Sequence, residues 1–118
     1  MKIGKHEIKA SYDVAVDVWK GAMSEVKAKE KLHKDLKMNS GSASDLIRNF
    51  GQMMRGQVYH RTLNHDTTRY YFENILSDFG ERHLALAVQA TKAHMKYYEQ
   101  LDTGSAQPGL KNICEQFE

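Results

Sequence analysis

The stretch NSGSASDLIRNFGQMMRG, Asn39 to Gly56, decides the fold class. Ala43, Leu46, Ile47, Phe50, Met53 and Met54 recur at steps of three and four residues. That spacing lays apolar side chains along one face of an α-helix. Ser40 or Ser42 can cap this helix, because a hydroxyl accepts from the free amides of the first turn. Gly56 supplies the stop, as glycine does after many helix ends.

The same period extends in both directions. From about Lys5 to Met23, the residues Tyr12, Ala15, Val16, Trp19, Ala22 and Met23 keep helical register. Ser24 can cap a second helix running to Lys37, with Val26 and Leu32 or Leu36 inward. Asp66 or Asn64 can cap a fourth, with Tyr71, Phe72, Ile75, Leu76 and Phe79 inward and Gly80 as its end. A fifth runs from about Glu81 to Leu101, with Leu84, Ala87, Val88, Thr91, Met95 and Tyr98 in register. Asp102 to Gln107 reads as a polar loop. Pro108, the only proline, suits the first turn of a last short helix anchored by Leu110, Ile113 and Phe117, where its missing N–H costs nothing. The expectation is a single all-α domain over residues 1–118, a compact bundle of five to six helices.

Composition narrows the setting. At 118 residues and 41% hydrophobic content the chain can bury a core without staples. Cys114 is the one cysteine, so no internal disulfide forms, which fits a reducing cytosol. No apolar run approaches membrane-spanning length, and the start Met1-Lys-Ile-Gly-Lys-His lacks a signal-peptide core. A cytoplasmic protein is expected. The net charge of +2 is unevenly spread: residues 1–72 hold 13 bases and 8 acids, residues 73–118 hold 4 bases and 7 acids. A basic front and an acidic back would orient the molecule on a polyanion. Random scatter is the plain alternative.

Residues 39–69 concentrate the chemistry. Four of the five arginines (Arg48, Arg55, Arg61, Arg69) fall here against two acids, Asp45 and Asp66. A surface rich in donors and poor in negative charge suits a nucleic-acid backbone. The lysine-bearing second helix, the turn Met38-Asn-Ser-Gly41 and the capped third helix have the order of a helix-turn-helix, whose second helix meets DNA with its N-terminal end. That end offers Asn39, Ser40, Ser42, Ser44 and free amides, all good phosphate ligands. The bland reading is that the serines only cap a core helix. Lysines 27, 29, 31, 34 and 37 read more simply as a solvated face.

Tyr59-His60-Arg61-Thr62 and Asn64 lie in the connection before the fourth helix. Arg61 can grip a phosphate through two N–H groups, and His60 can donate to an anion or pack its ring edge on a ligand. The alternative pairs Arg61 with Asp66 or Glu73 and leaves His60 half-buried. Enzyme readings are weak. The six histidines form no metal-ligand spacing, no nucleophile elbow or phosphate loop is present, and Cys114 sits in an apolar helical stretch. A metal-independent nuclease with His60 as base and Arg61 on the phosphorane needs a second acid, and His65 is the only one nearby.

Taken together, Met38-Asn-Ser-Gly-Ser-Ala-Ser-Asp-Leu-Ile-Arg-Asn-Phe50, Val58-Tyr-His-Arg-Thr-Leu-Asn64 and Thr68-Arg-Tyr-Tyr-Phe-Glu-Asn-Ile75 resemble a helical module found beside HNH nuclease domains in modification-dependent restriction enzymes. Within that group the chain is similar to the sulfur-binding domain, which recognises DNA carrying a phosphorothioate in its backbone. Those domains hold an adjacent His-Arg pair and, nearly fifty residues on, a proline loop. Here the matching elements are His60-Arg61 and Pro108, forty-eight residues after His60. The likeness spans roughly Asp35 to Phe117. The family often has an aromatic residue before the proline, where this chain has Gln107.

The resemblance implies a non-catalytic DNA-binding module without cofactor or metal. His60, Arg61, Thr62, Pro108, Gly109 and Ala106 would form the sulfur pocket. Asn39, Ser40, Ser42, Arg48, Tyr59, Asn64, Gln107 and Lys111 would contact flanking phosphates and base edges. The expected partner is double-stranded DNA, preferentially phosphorothioated, with a fused or separate HNH nuclease, since the nuclease motif itself is not in this sequence. The other readings are a reader of another mark such as 5-methylcytosine, or of bare sequence, and a helical protein-interaction module.

Overall fold

The computed structural model describes residues 4–100 and 107–118; Leu101, the expected loop from Asp102 and Ala106 lie outside the described residues. Six α-helices account for the regular structure among them, and no strand occurs there: α1 (Lys5–Trp19), α2 (Glu25–Leu36), α3 (Ser40–Arg55), α4 (His65–Phe79), α5 (Glu81–Glu99) and α6 (Pro108–Gln116). The all-α class read from the helical period is the one observed. The chain divides into two compact units, residues 1–51 and 52–118, with α3 running from the first into the second.

In the first unit α1 packs on α2. Ile8, Tyr12, Val14 and Ala15 are buried on α1, and the buried Ser11 hydroxyl donates to the Ile8 carbonyl at 2.8 Å. The apolar spacing predicted α1 as far as Met23, but the helix stops at Trp19. Gly21 takes φ +78°, its N–H reaches the Val18 carbonyl at 3.0 Å, and Ala22 N–H reaches that of Asp17 at 2.8 Å. These paired bonds close the last carbonyls and turn the chain away, so a glycine outweighed two apolar residues beyond it.

Ser24 caps α2 as expected, its hydroxyl accepting from Lys27 N at 3.1 Å. Ala28 and Leu32 are buried, but Val26, expected inward, is 65% exposed. Two residues turn a helix by about 200°, so Val26 and Ala28 cannot share a face. Lys37 ends α2 in the left-handed conformation, and the His33 Nδ1–H donates to the carbonyl of the fully buried Met38 at 2.9 Å. The cap of α3 is Asn39 rather than Ser40 or Ser42: its Oδ1 accepts from Gly41 N at 2.8 Å and Ser42 N at 3.4 Å. The rings of Tyr12 and Phe50 meet edge to face at 5.4 Å.

In the second unit α4, α5 and α6 all touch one another. Their buried faces bring together Tyr71, Phe72 and Ile75 of α4, Leu84, Ala87 and Val88 of α5, and Leu110, Ile113 and Cys114 of α6. Phe117 meets Phe72 edge to face at 5.3 Å. Leu76, expected inward, is 39% exposed. It lies at the edge of the α4 stripe, beside a groove with Leu84, Ala85, Val88 and Phe117. Pro108 occupies the first turn of α6, as its fixed φ favours.

Gly56 ends α3 with φ +68°; its N–H bonds to Met53 O at 3.2 Å, and Gln57 N–H bonds to Gln52 O at 2.9 Å. A Cβ there would lie 2.8 Å from Leu86 Cδ2. Gly56→Ala should therefore cost about 1–2 kcal/mol, the penalty of a left-handed non-glycine residue, seen as a lower urea midpoint at unchanged slope.

Candidate functional site

The connection from Gln57 to Asn64 carries the expected His-Arg pair, and α5 holds it in place. At its start Gln89 Nε2 donates to Gly56 O at 3.0 Å. At its end Asn64 caps α4, Oδ1 accepting from Thr67 N at 2.7 Å. Between them the order is buried Tyr59, exposed His60, Arg61 and Thr62, then buried Leu63. Burial of Tyr59 and Leu63 pins both sides of the exposed triplet, which gives the loop little freedom to move.

His94 of α5 makes the central contact. It is 0% exposed, its Nδ1 lies 2.6 Å from Tyr59 O and its Nε2 lies 2.9 Å from Thr62 Oγ1. A carbonyl oxygen only accepts, so Nδ1 carries the proton and donates to Tyr59 O. Burial holds the pKa of His94 below its ordinary value, against the opposing pull of the Tyr59 carbonyl and with help from charge on His60. The ring is neutral at pH 7, Nε2 is then an acceptor, and the Thr62 hydroxyl donates to it. One imidazole thus ties the residues on either side of His60-Arg61 to the same point on α5.

Tyr59 completes the anchor. Its ring stacks on His94 at 4.6 Å, its hydroxyl donates to Thr91 Oγ1 at 3.0 Å, and Thr91 Oγ1 donates to Ala87 O at 3.0 Å. Burial drives its phenol pKa well above the usual value. Tyr59 is only 2% exposed, which corrects its expected role as a base or backbone contact. A ring enclosed on α5 has no face for a base.

With Tyr59 buried and the exposed Thr62 held by its bond to His94, His60 and Arg61 between them face solvent. The His60 ring stacks on Tyr97 with centroids 4.2 Å apart and planes 28° apart. Arg61 is exposed beside it. The result is an imidazole–phenol stack on the residue that precedes an exposed arginine, side chains of the kind that hold an anion and offer it an apolar edge.

Pro108 and Gly109 approach from α6. Gly109 lies under the His65 ring so closely that a Cβ would come within 2.3 Å of His65 Cε1. The start of α6 is therefore docked on the start of α4, directly after the loop. Pro108 faces a cavity of about 500 Å³ beside Met95 and Lys96 of α5. His60, Arg61 and Thr62 do not line that cavity. Tyr97 is one residue past Lys96 and two past Met95, about 100° and 160° away around the helix. His60 and Pro108 thus meet α5 on different faces, linked through His65 and Gly109. Ala106 lies outside the described residues. Gln107 is half-buried at the α6 start and Lys111 is exposed one turn on.

The remaining expected contacts sit in the first unit. Ser40 is exposed and Ser42 half-buried, while Asn39 and, in the second unit, Asn64 spend their amide oxygens as helix caps. Arg48 reaches Glu25 at 3.8 Å across exposed surface, a pairing of small energetic weight. Cys114 is buried, and burial pushes its thiol up to about 11, which leaves it unreactive at neutral pH. No group of three or more His, Cys, Asp or Glu residues suited to a metal ion occurs among the described residues, and no described helix is long and apolar enough to cross a membrane.

Sequence reasoning missed His94 and Tyr97. His94 stands in the α5 core register, three residues after Thr91, so the period could have marked it as buried. Its partners, 32 and 35 residues earlier, could not have been read that way. Comparison with known protein families, curated proteins and solved structures finds no match to this chain.

Two outcomes follow from this geometry. The unfolded chain takes up a proton on His94 near pH 6.5 while the folded chain resists it, so stability falls as pH drops below about 6.5. In urea titrations the stability advantage of wild type over His94→Gln should narrow from pH 7.5 to pH 5.5. Gly109→Ala should push the exposed His65 ring aside at a cost below about 1 kcal/mol, and His65→Ala in the same chain should recover most of that loss. Additive losses would disprove the contact.

Proposed function

We propose that this chain is a non-catalytic DNA-binding module that recognises phosphorothioate-modified duplex DNA, with the His60-Arg61 loop as its reading element. The observation that carries this is the His94 clamp, which holds Tyr59 and Thr62 on either side of the exposed His60 and Arg61. Resemblance to the sulfur-binding domain of modification-dependent restriction enzymes supplies the substrate. The basic balance of residues 1–72 favours a polyanion.

A phosphorothioate replaces one non-bridging oxygen with sulfur, which is larger, more polarisable and a poorer hydrogen-bond acceptor. Arg61 meets the charge. The edge of the His60–Tyr97 stack and the Arg61 stem give the sulfur an apolar seat, while Pro108 and Gly109, expected to share it, stand on another face of α5. Removing one sulfur-sized apolar group from water is worth about 1–2 kcal/mol, roughly a decade in affinity. Stronger discrimination requires that an ordinary phosphate oxygen be left poorly solvated in the same seat. A fused or separate HNH nuclease would supply cleavage.

The groove of about 710 Å³ beside the exposed Leu76 favours a second reading, a helical protein-interaction module. Competition between modified and plain duplexes of identical sequence separates the two. The modified duplex should win by about tenfold or more, with affinity falling steeply in salt. Arg61→Ala should reduce binding by about 1–3 kcal/mol. Equal affinities remove the sulfur claim, a methylated duplex that wins transfers the reading to that mark, and no salt-sensitive binding favours the protein partner.

A further inference from the structure

We propose that the cavity between the second half of α5 and the start of α6 is a separate phosphate-binding site, built on Lys96 and Lys111 and walled by Met95 and Pro108. Its volume is about 500 Å³. Residues 73–118 contain only four basic residues against seven acids, yet three of the four, Lys92, Lys96 and Lys111, line this one hollow. An acidic segment that gathers its cations in one place concentrates positive potential there, and low-dielectric walls focus it further.

The helical geometry points the same way. Lys92 and Lys96 stand four residues apart on α5, where like charges repel and weaken a helix. Glu118 pairs with Lys92, and Glu99 is the one acid among the described residues of the lining, so among these residues Lys96 and Lys111 hold the surplus. Lys111 comes from α6, so the two lysines line the hollow from separate helices. The first turn of α6 adds its positive dipole end, and Gln107 makes no side-chain cap bond to it. Met95 and Pro108 give the apolar wall that a sugar or base edge beside the phosphate would use.

The ligand class is a phosphate ester, from either a DNA backbone or a free nucleotide. The DNA arm rests on the reading of the His60-Arg61 loop; the free-nucleotide arm does not. The test uses the full chain and Lys96→Gln/Lys111→Gln, with Arg61→Ala as control and thermal melts to verify folding. Thymidine 5′-monophosphate is titrated under 1H–15N NMR, and duplex affinity is measured against salt.

For a free-nucleotide site, the monophosphate shifts the amides of Gly109, Leu110 and Lys111 in wild type and Arg61→Ala, and not in the double variant. For a backbone site, the double variant makes the log–log salt slope shallower by about one, the loss expected for one phosphate contact. Either result supports the cavity. Shifts that persist in the double variant, or absent shifts together with an unchanged slope, overturn it. If duplex binding itself is lacking, the loop reading fails and the monophosphate titration alone decides the cavity.

Discussion

One buried imidazole organises the second unit. His94 donates through Nδ1 to the Tyr59 carbonyl and accepts through Nε2 from the Thr62 hydroxyl, so both ring nitrogens are used within the loop it supports. A buried polar group is tolerated only when its hydrogen-bonding capacity is met. That requirement makes the arrangement specific: shifting the loop by one residue would leave a carbonyl, a hydroxyl and a ring nitrogen without partners. The burial that keeps the ring neutral also assigns its tautomer, and the tautomer assigns the direction of every bond around it.

The exposed pair follows from that constraint. Tyr59 is drawn in by its ring and its hydroxyl, Leu63 by its side chain, and Thr62 by its bond to His94. His60 and Arg61 face solvent beside the exposed Thr62. Tyr97, one helical step from the buried face, then gives the His60 ring a backing. The loop is therefore shaped by α5 rather than by its own turn chemistry.

Much of the fold was legible from local rules. The apolar period located all six helices, Ser24 and Asn64 were readable as caps, and Gly56, Gly80 and Pro108 were readable as boundaries. The errors were local contests. Asn39 displaced the serines as cap of α3, its side-chain oxygen accepting from the two amides ahead of it, those of Gly41 and Ser42. Gly21 ended α1 before Ala22 and Met23 could extend it. Val26 and Leu76 are apolar residues that the buried faces did not need.

Less of the candidate site was legible. Residue types and spacing along the chain determined the helices and drew notice to His60, Arg61 and Pro108, because helical register and helix ends depend on neighbours within a few positions. Only the tertiary structure decided that Tyr59 turns inward, that His60 rests on Tyr97, and that Pro108 faces a lysine-lined hollow on another side of α5. These outcomes depend on partners more than thirty residues away or on a different helix, and hydrogen bonds of buried groups over such separations leave no period in the chain to read.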